Sequence, residues 1–436
     1  MARAYKPATK IDAYIWGTYV GAAAYDPALG YYVFAYDPAF AKQGVELSPL
    51  HMPLNERGQP FAFVDLPELT YKRLPAMLAD ALPDDFGNAL VDAYMAERGV
   101  RREQITPLDR LAYMGKRAMG ALEFVPSLGP KQRTPTALDL SDLVSLARAA
   151  VRGTLGVDKE VHSTLRQMIE VGTSAGGARA KAVVAWNPST QEIRSGQLEA
   201  PTGFEHWLLK FDGIGVDHDL GSTQGYGRIE YAYHLMARAA GISMSECRLL
   251  EEHGRAHFMT KRFDRGVNGV KHHMQTLCAI DHLDYKKVGA HAYEQLFFVS
   301  QHPRMNLGHA TDVEIFRRMV FNVMARNCDD HTKNVSFRLQ QGSSWELAPA
   351  YDVTFSYNPA STWVQQHQMS VSGKFRGITR SDCLKLADRF GVGEASAVIR
   401  EVRRAVMNWP EFAAQAEVSA VEAQRIAALH ETAGFA

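Results

Sequence analysis

The sequence predicts an α+β protein in which a strand-rich part is followed by a mostly helical part. A chain of 436 residues is too long for one ordinary hydrophobic core, so we expect two or three domains or lobes. Strand-like runs dominate the first part, whereas apolar residues recur at helical spacing from about residue 281 onward. This order suits two lobes that hold a nucleotide between them.

Composition and charge exclude several classes of protein. The 48 Lys and Arg residues balance the 48 Asp and Glu residues, so nothing favours direct binding to nucleic acid or to anionic lipid. The first residues contain no apolar segment of a signal peptide, and no apolar run approaches the length of a membrane span. We therefore expect a cytoplasmic protein without membrane contact. The four separated cysteines contain no CxxC pair and predict buried thiols.

Residues 1–127 form the predicted N-terminal subdomain. The runs DAYIWGTYVGAAAY and YYVFAYD predict two paired strands, separated by the turn sequence DPALG. Two segments with helical spacing follow, and Pro83 should interrupt the first of them. The stretch 126–135, PSLGPKQRTP, is rich in proline and polar residues and predicts a linker.

Two further domains are predicted, at 136–270 and 271–436. The second domain begins with a helical region, then has a glycine-rich turn, EVGTSAGGARAK, which runs into the strand AVVAW, and the strands HWLLKFDG, ECRLLEE and AHFMTKRFDR. A further strand, VKHHMQTLCA, is predicted where the third domain begins. Between these strands lies the amphipathic helix GRIEYAYHLMARAAGI, which Gly241 should end. The third domain is mostly helical, with a short hairpin predicted in VSFRLQQGSSWELAPAYDVTF.

The glycine-rich turn is the first of several features that fit phosphoryl transfer. This chemistry needs a loop over the phosphates, a lysine, magnesium ligands and an acid that orients the nucleophile. Gly172, Gly176 and Gly177 would let backbone N–H groups approach phosphate oxygens. The same pattern also fits a tight turn between a helix and a strand. It is not a Walker A loop, because Ala178 stands where the lysine is required.

Lys210 and Glu230 are the next two candidates. Lys210 lies inside the apolar strand WLLKFDG, where an ammonium group needs a strong partner. Glu230 begins the amphipathic helix that follows, and a lysine–glutamate pair from strand to helix is how protein kinases hold the phosphate-binding lysine. The alternative is a lysine at a sheet edge and a solvated helix glutamate.

The stretch CDDHTKN contains the strongest candidates for catalysis. Asp329 and Asn334 have the DxxxxN spacing of a kinase catalytic loop, in which the aspartate orients the substrate hydroxyl and the asparagine binds magnesium. Lys333 would neutralise charge on the transferring phosphoryl group. Asp352, in PAYDVTF, stands where a second magnesium ligand should come. These residues in series predict a phosphoryl-transfer site.

Two other acidic features receive no catalytic role. Asp330 lies one residue off the DxxxxN spacing. The tripeptide DFG, at residues 85–87, precedes every other feature and lies in a helix-forming region, so it cannot follow a catalytic loop in the kinase order. We interpret it as structural.

Taken together, these motifs resemble the HipA-type serine/threonine kinase toxins of bacterial toxin–antitoxin pairs. The resemblance rests on SAGGARAK, WLLKFDG, IEYAYHLMARAAGI, KRFDR, MQTL, DDHTKN and APAYDV, in family order. With GALEFVP and LADALPDDFG it spans nearly the whole chain. It implies a bilobed, protein-kinase-like α+β fold with an extra N-terminal α+β subdomain and a mostly helical C-lobe. It also implies transfer of the γ-phosphate of ATP, with Mg²⁺, to a protein hydroxyl.

The resemblance also implies roles for individual residues. Asp329 becomes the catalytic aspartate, with Lys333 beside it, and Asn334 and Asp352 become metal ligands. The implied ATP-binding residues are Ser174, Gly176, Gly177, Lys210, Glu230, Lys261, Phe263, Gln275, His331 and Tyr351. Ser174 matches a serine that family members autophosphorylate, with Thr173 as the alternative, and a phosphate there would repel the phosphates of the nucleotide.

The implied partners are a small helix-turn-helix antitoxin on a separate chain and a protein substrate, such as an aminoacyl-tRNA synthetase or another translation factor. DNA contact would come only through the antitoxin. Other interpretations are a non-toxic kinase or corepressor of the same fold, and a small-molecule kinase of related fold. A metal-dependent hydrolase is a further alternative, with ligands from DDH, His272, His273 and residues 281–284.

Overall fold

A computed structural model describes residues 5–55, 57–130, 140–144, 180–197, 200–213 and 225–436. The chain divides into two compact units. The first comprises Met1–Gly215, Lys261–Gln275 and Leu339–Gly342, and the second Val216–Thr260, Thr276–Arg338 and Ser343–Ala436. The boundaries of these compact units differ from those of the three predicted domains, 1–127, 136–270 and 271–436. The three-domain division stays a prediction. The glycine-rich turn and most of the linker lie outside the described residues.

The first unit begins with a four-stranded antiparallel sheet in the order β3–β2–β1–β4. Its strands are β1 (Lys10–Ile15), β2 (Thr18–Asp26), β3 (Tyr31–Tyr36) and β4 (Leu122–Val125). The prediction of two strands before residue 37 was wrong in number. Trp16 and Gly17 both have left-handed backbones, with φ of 48° and 79°, and they turn the first run back on itself as a hairpin.

The described residues between β3 and β4 form five helices and a 3₁₀ turn at Arg102–Gln104. The helices are α1 (Pro38–Ala41), α2 (Glu68–Tyr71), α3 (Ala76–Ala79), α4 (Asp85–Ala96) and α5 (Pro107–Met114). The predicted break at Pro83 is confirmed, because it falls between α3 and α4. Asp84 caps α4 by accepting the N–H of Gly87 at 2.6 Å. The DFG tripeptide is thus the first turn of a helix, as interpreted from the sequence.

Three further strands of the first unit, β5 (Lys181–Trp186), β6 (Ile193–Ser195) and β7 (Glu205–Lys210), pair antiparallel in the order β6–β5–β7. Every residue of β5 is buried. The predicted strands AVVAW and HWLLKFDG are therefore confirmed.

The second unit is mostly helical, as the sequence predicts. Its helices are α6 (Tyr226–Ala239), α7 (Leu277–Ile280), α8 (Tyr293–Gln301), α9 (His309–Met324), α10 (Arg380–Phe390), α11 (Ala395–Met407), α12 (Trp409–Gln415) and α13 (Ala420–Ala427). Short 3₁₀ turns lie at Val267–Gly269 in the first unit and at Thr332–Asn334 and Ala433–Phe435 in the second. Gly241 follows α6 with a φ of 84°, so the predicted helix end is confirmed.

The remaining strands are β8 (Cys247–Glu252), β9 (Arg255–Lys261), β10 (His273–Thr276), β11 (His291–Ala292), β12 (Ser336–Leu339), β13 (Trp345–Leu347) and β14 (Met369–Ser370). β8 and β9 form an antiparallel hairpin. β12 and β13 form the predicted short hairpin. The strand predicted in VKHHMQTLCA ends early, because the Thr276 side chain accepts the N–H of Ala279 and starts α7.

All four cysteines are buried free thiols, as predicted. Within the described part of the chain, none of the helices has the length and hydropathy that crossing a bilayer requires.

Candidate active site

Helix α9 leads into a tight turn that brings Asp329 and Asn334 together. Arg326, just after the helix, has a left-handed backbone with a φ of 57°, which redirects the chain. The 3₁₀ turn Thr332–Asn334 then begins with His331, whose Nδ1 accepts the N–H of Lys333 at 3.2 Å. Asn334 Nδ2 donates to the carbonyl of Asp329 at 2.8 Å. The two residues selected by the DxxxxN spacing are therefore neighbours in space.

The Asp329 carboxylate has an unusual set of neighbours. Its Oδ1 accepts the indole N–H of Trp363 at 2.6 Å and lies 3.6 Å from Nε2 of His331. Protein atoms that displace water around the carboxyl raise its pKa, and the charges of Asp352 and Asp330 add to the effect. His331 and the indole N–H oppose this rise. The side chain stays 37% exposed, so a carboxylate with raised proton affinity remains open on one side.

Asp330, to which the sequence assigns no role, is buried behind the turn. Its carboxylate accepts the hydroxyl of Tyr293 at 2.8 Å, Nδ1 of His367 at 2.9 Å and the N–H of Gln368 at 2.7 Å. Burial works to lower the pKa of His367, but Asp330 and the neighbouring Cys328 raise it well above its ordinary value. Asp330 and His367 thus form a buried ion pair that anchors the turn from Asp329 to Asn334.

Asp352, the second predicted magnesium ligand, has a left-handed backbone with a φ of 53°. Non-glycine residues in this conformation are uncommon and concentrate at functional sites. Asp352 lies near enough to Asp329 for its charge to raise the pKa of that carboxyl. The neighbouring Tyr351 donates its hydroxyl to the carbonyl of Lys333 at 2.7 Å, so this tyrosine supports the turn. Its predicted contact with the nucleotide stays a prediction.

Lys333 and His331 lie among aromatic rings of the second unit. The Lys333 ammonium is 5.3 Å from the ring centroid of Tyr285. The His331 ring is 5.3 Å from Tyr285 and 5.8 Å from Trp363, centroid to centroid. Of the two, His331 lies beside Asp329, with 3.6 Å between its Nε2 and Oδ1 of the carboxylate. Glu230, also in the second unit, is 2% exposed on α6, and its predicted pairing with Lys210 stays a prediction.

In the first unit, Lys210 ends β7 directly opposite Lys181 of β5. Residues opposite each other in an antiparallel pair point to the same face, so two lysines lie side by side. Lys181 is 2% exposed and forms an ion pair with Asp84 at 3.4 Å. Sequence reasoning missed the ion pair between Lys181 and Asp84, because the two residues belong to distant segments of the chain.

The motif KRFDR contains the candidates Lys261 and Phe263 and is held by a buried charge network. Arg262 donates two hydrogen bonds to Asp264, at 2.9 and 2.7 Å, and Arg265 donates a third at 2.8 Å. Lys261 pairs instead with Glu205 at 2.5 Å. The backbone that the resemblance assigns to the nucleotide pocket is therefore rigidly supported.

Gln275, which is predicted to line the nucleotide pocket, has a buried side chain whose amide is not hydrogen-bonded to any described residue. Its side chain is 0% exposed, and neither its amide nitrogen nor its amide oxygen has a hydrogen-bond partner among the described residues. An unsatisfied buried amide costs roughly 1–3 kcal/mol for each polar atom.

Three predicted site residues, Ser174, Gly176 and Gly177, lie outside the described residues. Among the residues that are described, no three His, Cys, Asp or Glu side chains group together as metal ligands. His273, a candidate of the hydrolase alternative, instead bonds the carbonyl of Leu47 at 3.0 Å, and burial lowers its pKa to about 4.

Comparisons with known proteins assign the family. The model of the HipA N-terminal domain matches residues 11–125, and that of the HipA-like C-terminal domain matches residues 173–409. The chain belongs to the HipA family.

A solved structure confirms that this HipA-family chain has the α+β fold of a HipA protein. It comes from a complex of HipA, HipB and operator DNA of the Shewanella oneidensis MR-1 toxin–antitoxin system. The match has a TM-score of 0.66 at 17% identity and covers 96% of this chain and 94% of that one.

A curated relative from Haemophilus influenzae, named "Putative kinase", is 34% identical over 110 residues. The match covers 23% of this chain and 32% of the relative, so the chain spans about a third of that protein's length.

Proposed function

We propose that this HipA-family chain is an ATP-dependent serine/threonine protein kinase and the toxin of a toxin–antitoxin pair. The observation that carries the proposal is the Asp329 carboxylate, which is oriented by a hydrogen bond, raised in pKa and open on one side. A general base needs these properties.

Asp329 would accept the proton of the substrate hydroxyl as that oxygen bonds to the γ-phosphorus and ADP leaves with the electrons of the broken P–O bond. Its raised pKa favours this role, provided that the carboxyl remains ionised at working pH. Lys333 would counter negative charge on the transferring group. The hydrogen bond from Asn334 to the Asp329 backbone holds the base and a magnesium ligand in one geometry.

The donor set fits Mg²⁺, which would neutralise phosphate charge when bound. Magnesium in kinase sites uses one or two protein carboxylates together with phosphate oxygens and water. Asp352 would supply one carboxylate and Asn334 an amide oxygen, and together they would bind the ion. The resemblance assigns Gln275 to the adenine pocket, and its fully buried amide would have to become accessible before it could bond the base.

The finer parts of the proposal rest on the family resemblance. A HipB-like helix-turn-helix antitoxin would bind the chain and carry the contact with DNA, as HipB accompanies HipA and operator DNA in the Shewanella complex. The acceptor would be a protein hydroxyl, such as one on an aminoacyl-tRNA synthetase or another translation factor. Ser174 or Thr173 in the glycine-rich turn would be autophosphorylated.

The test is incubation of the full chain with labelled ATP and magnesium, followed by peptide mapping. We expect label on Ser174 or Thr173 in the wild type, and a loss of about 10²–10⁴-fold in Asp329→Ala, because the general base is removed. Asp388→Ala is a matched control, since Asp388 is an exposed aspartate on α10. Equal labelling of Asp329→Ala and the wild type would refute the assignment of Asp329.

Growth arrest on expression, lost in Asp329→Ala, would link the chemistry to toxicity. A phosphoproteome of the arrested cells would then identify the acceptor protein. Turnover of ATP on a small molecule without any protein acceptor would replace the protein-kinase proposal by a small-molecule kinase.

A further inference from the structure

Residues 361–368, which follow Asp352 along the chain, contact both aspartates of the catalytic turn. Trp363 donates its indole N–H to Oδ1 of Asp329 at 2.6 Å. Four residues later, His367 donates Nδ1–H to Oδ2 of Asp330 at 2.9 Å, and the N–H of Gln368 bonds Oδ1 of Asp330 at 2.7 Å. One segment therefore binds the exposed and the buried carboxylate of an adjacent pair.

The contacts with Asp330 fix one end of this segment in place. The side chains of Asp330 and His367 are 0% and 2% exposed. The Tyr293 hydroxyl, which itself accepts Asn322 Nδ2 at 2.9 Å, completes the surroundings of Asp330. A buried carboxylate with all these donors has little freedom to move. Residues 367 and 368 are thus held to the turn through hydrogen bonds to its buried residue, Asp330.

The segment also holds Trp363 through its own hydrogen bonds. Ser361 Oγ accepts the N–H groups of Trp363 at 3.0 Å and Val364 at 3.1 Å. The Gln368 side-chain amide donates to the carbonyl of Trp363. The indole ring meets the His331 ring edge to face, at 5.8 Å between centroids. The ring is therefore fixed from its backbone and from one face, with the N–H aimed at Asp329.

We propose that Trp363 is a positioning residue that orients the Asp329 carboxylate, and that the Asp330–His367 pair keeps it there. The indole N–H and His331 both lie on Oδ1, which leaves Oδ2 to accept the proton of the substrate hydroxyl. Without the indole, the carboxylate would rotate about χ2, which is a broad torsion, and spend less time aligned. The catalytic part of this inference rests on the proposed kinase function, whereas the hydrogen bond does not.

Trp363→Phe tests the proposal, because it keeps an aromatic ring and removes the N–H. We expect kcat to fall about tenfold or more while the KM for ATP stays the same, since misalignment of a catalytic group affects the chemical step. Trp409→Phe is the matched control. Its indole N–H donates to the carbonyl of Ala423 at 2.9 Å, and it belongs to the same unit, so the loss of a buried indole bond there should leave kcat unchanged.

A second measurement does not depend on turnover. The chain has six tryptophans, and the indole ¹H–¹⁵N signal that disappears in Trp363→Phe identifies Trp363. In Asp329→Asn, which removes the charged acceptor, we expect this signal to move upfield while the Trp409 signal stays. In Asp330→Asn, which weakens the anchor, we expect it to move as well.

The outcomes separate the inference from the proposed function. A Trp363 signal that does not respond to Asp329→Asn overturns the contact and the inference. A responsive signal with unchanged kcat in Trp363→Phe overturns the positioning role. A wild-type chain without any phosphoryl transfer overturns the proposed function and the catalytic part of the inference, and the indole signal still decides the contact.

Discussion

Asp264 in the first unit and Asp329 in the second are both bonded by nitrogen donors, but the charges around them differ. Asp264 is 0% exposed and accepts hydrogen bonds from Arg262, Arg265 and the backbone of Gly120. Although burial alone would raise its pKa, the two guanidinium groups hold that pKa well below the usual range. Asp329 keeps 37% of its side chain exposed, is bonded by an uncharged indole, and has a raised pKa.

The difference separates a carboxylate used for stability from one suited to chemistry. A carboxylate matched by two arginines has little affinity for a proton, and removing it leaves buried positive charge without a partner. A carboxylate with a raised pKa and an open side can exchange a proton with a substrate. Asp330 is intermediate, because it is buried like Asp264 but lies beside the candidate base Asp329 and is matched by one histidine.

Asp264→Ala should have the largest effect on stability. It leaves Arg262 and Arg265 buried without their counter-charge, which costs about 3–5 kcal/mol. Denaturant unfolding of the full chain measures the loss. The control is Glu68→Ala, which breaks the exposed pair with Arg73 and should cost about 1 kcal/mol or less. Equal losses of unfolding free energy in the two variants would show that the buried pairs of Asp264 stabilise the fold no more than an exposed pair does.

Asp330→Ala should cost less stability but also impair activity. It removes the acceptor for Tyr293, His367 and Gln368, at an expected cost of about 2–4 kcal/mol, because His367 can lose its proton when its partner is absent. Since residues 361–368 lose their anchor, kcat per folded molecule should fall as in Trp363→Phe. Normal kcat in a folded Asp330→Ala protein would show that Asp330 serves stability alone.

His367 should make stability depend on pH. Its pKa in the folded chain is raised, so its contribution is fully present below the unfolded value of about 6.5 and is lost as pH rises through the folded value. The unfolding free energy of the wild type should therefore decrease relative to that of His367→Gln above about pH 6.5, by at most about 1.4 kcal/mol per pH unit. Parallel profiles of the two proteins between pH 6 and 8 would argue against a charged His367.

Tyr293→Phe should have the smallest effect. It removes one neutral donor to Asp330 and one acceptor for Asn322, at a cost of about 1 kcal/mol. The ion pair with His367 remains, so kcat should change less than twofold. Thermal unfolding and steady-state kinetics check both values, and a loss of activity as large as that of Asp330→Ala would mean that the tyrosine, and not the ion pair, holds the turn.

Sequence reasoning succeeded where the relevant contacts are local. The spacing from Asp329 to Asn334 predicts that they meet, because one short turn joins them. Gly241 predicts a helix end, because glycine readily adopts the left-handed backbone that a helix end needs and that the structure shows there. It failed at Trp16, where a bulky residue adopts a φ of 48° that local preference disfavours. Nothing in the local pattern separates Trp363 from other aromatic residues, since it meets Asp329 across 34 positions of the chain.

The sequence by itself determined that a strand-rich part precedes a mostly helical part, the helix boundaries at Pro83 and Gly241, and the choice of Asp329 over Asp330 as the candidate base. These features depend on backbone preferences and on short spacings, which residues carry with them wherever they lie. The tertiary structure alone decided which donors surround each carboxylate, and so which aspartate is buried and which keeps an open side. Proton affinity depends on water exclusion and on charges a few ångströms away, and folding brings those neighbours from distant parts of the chain.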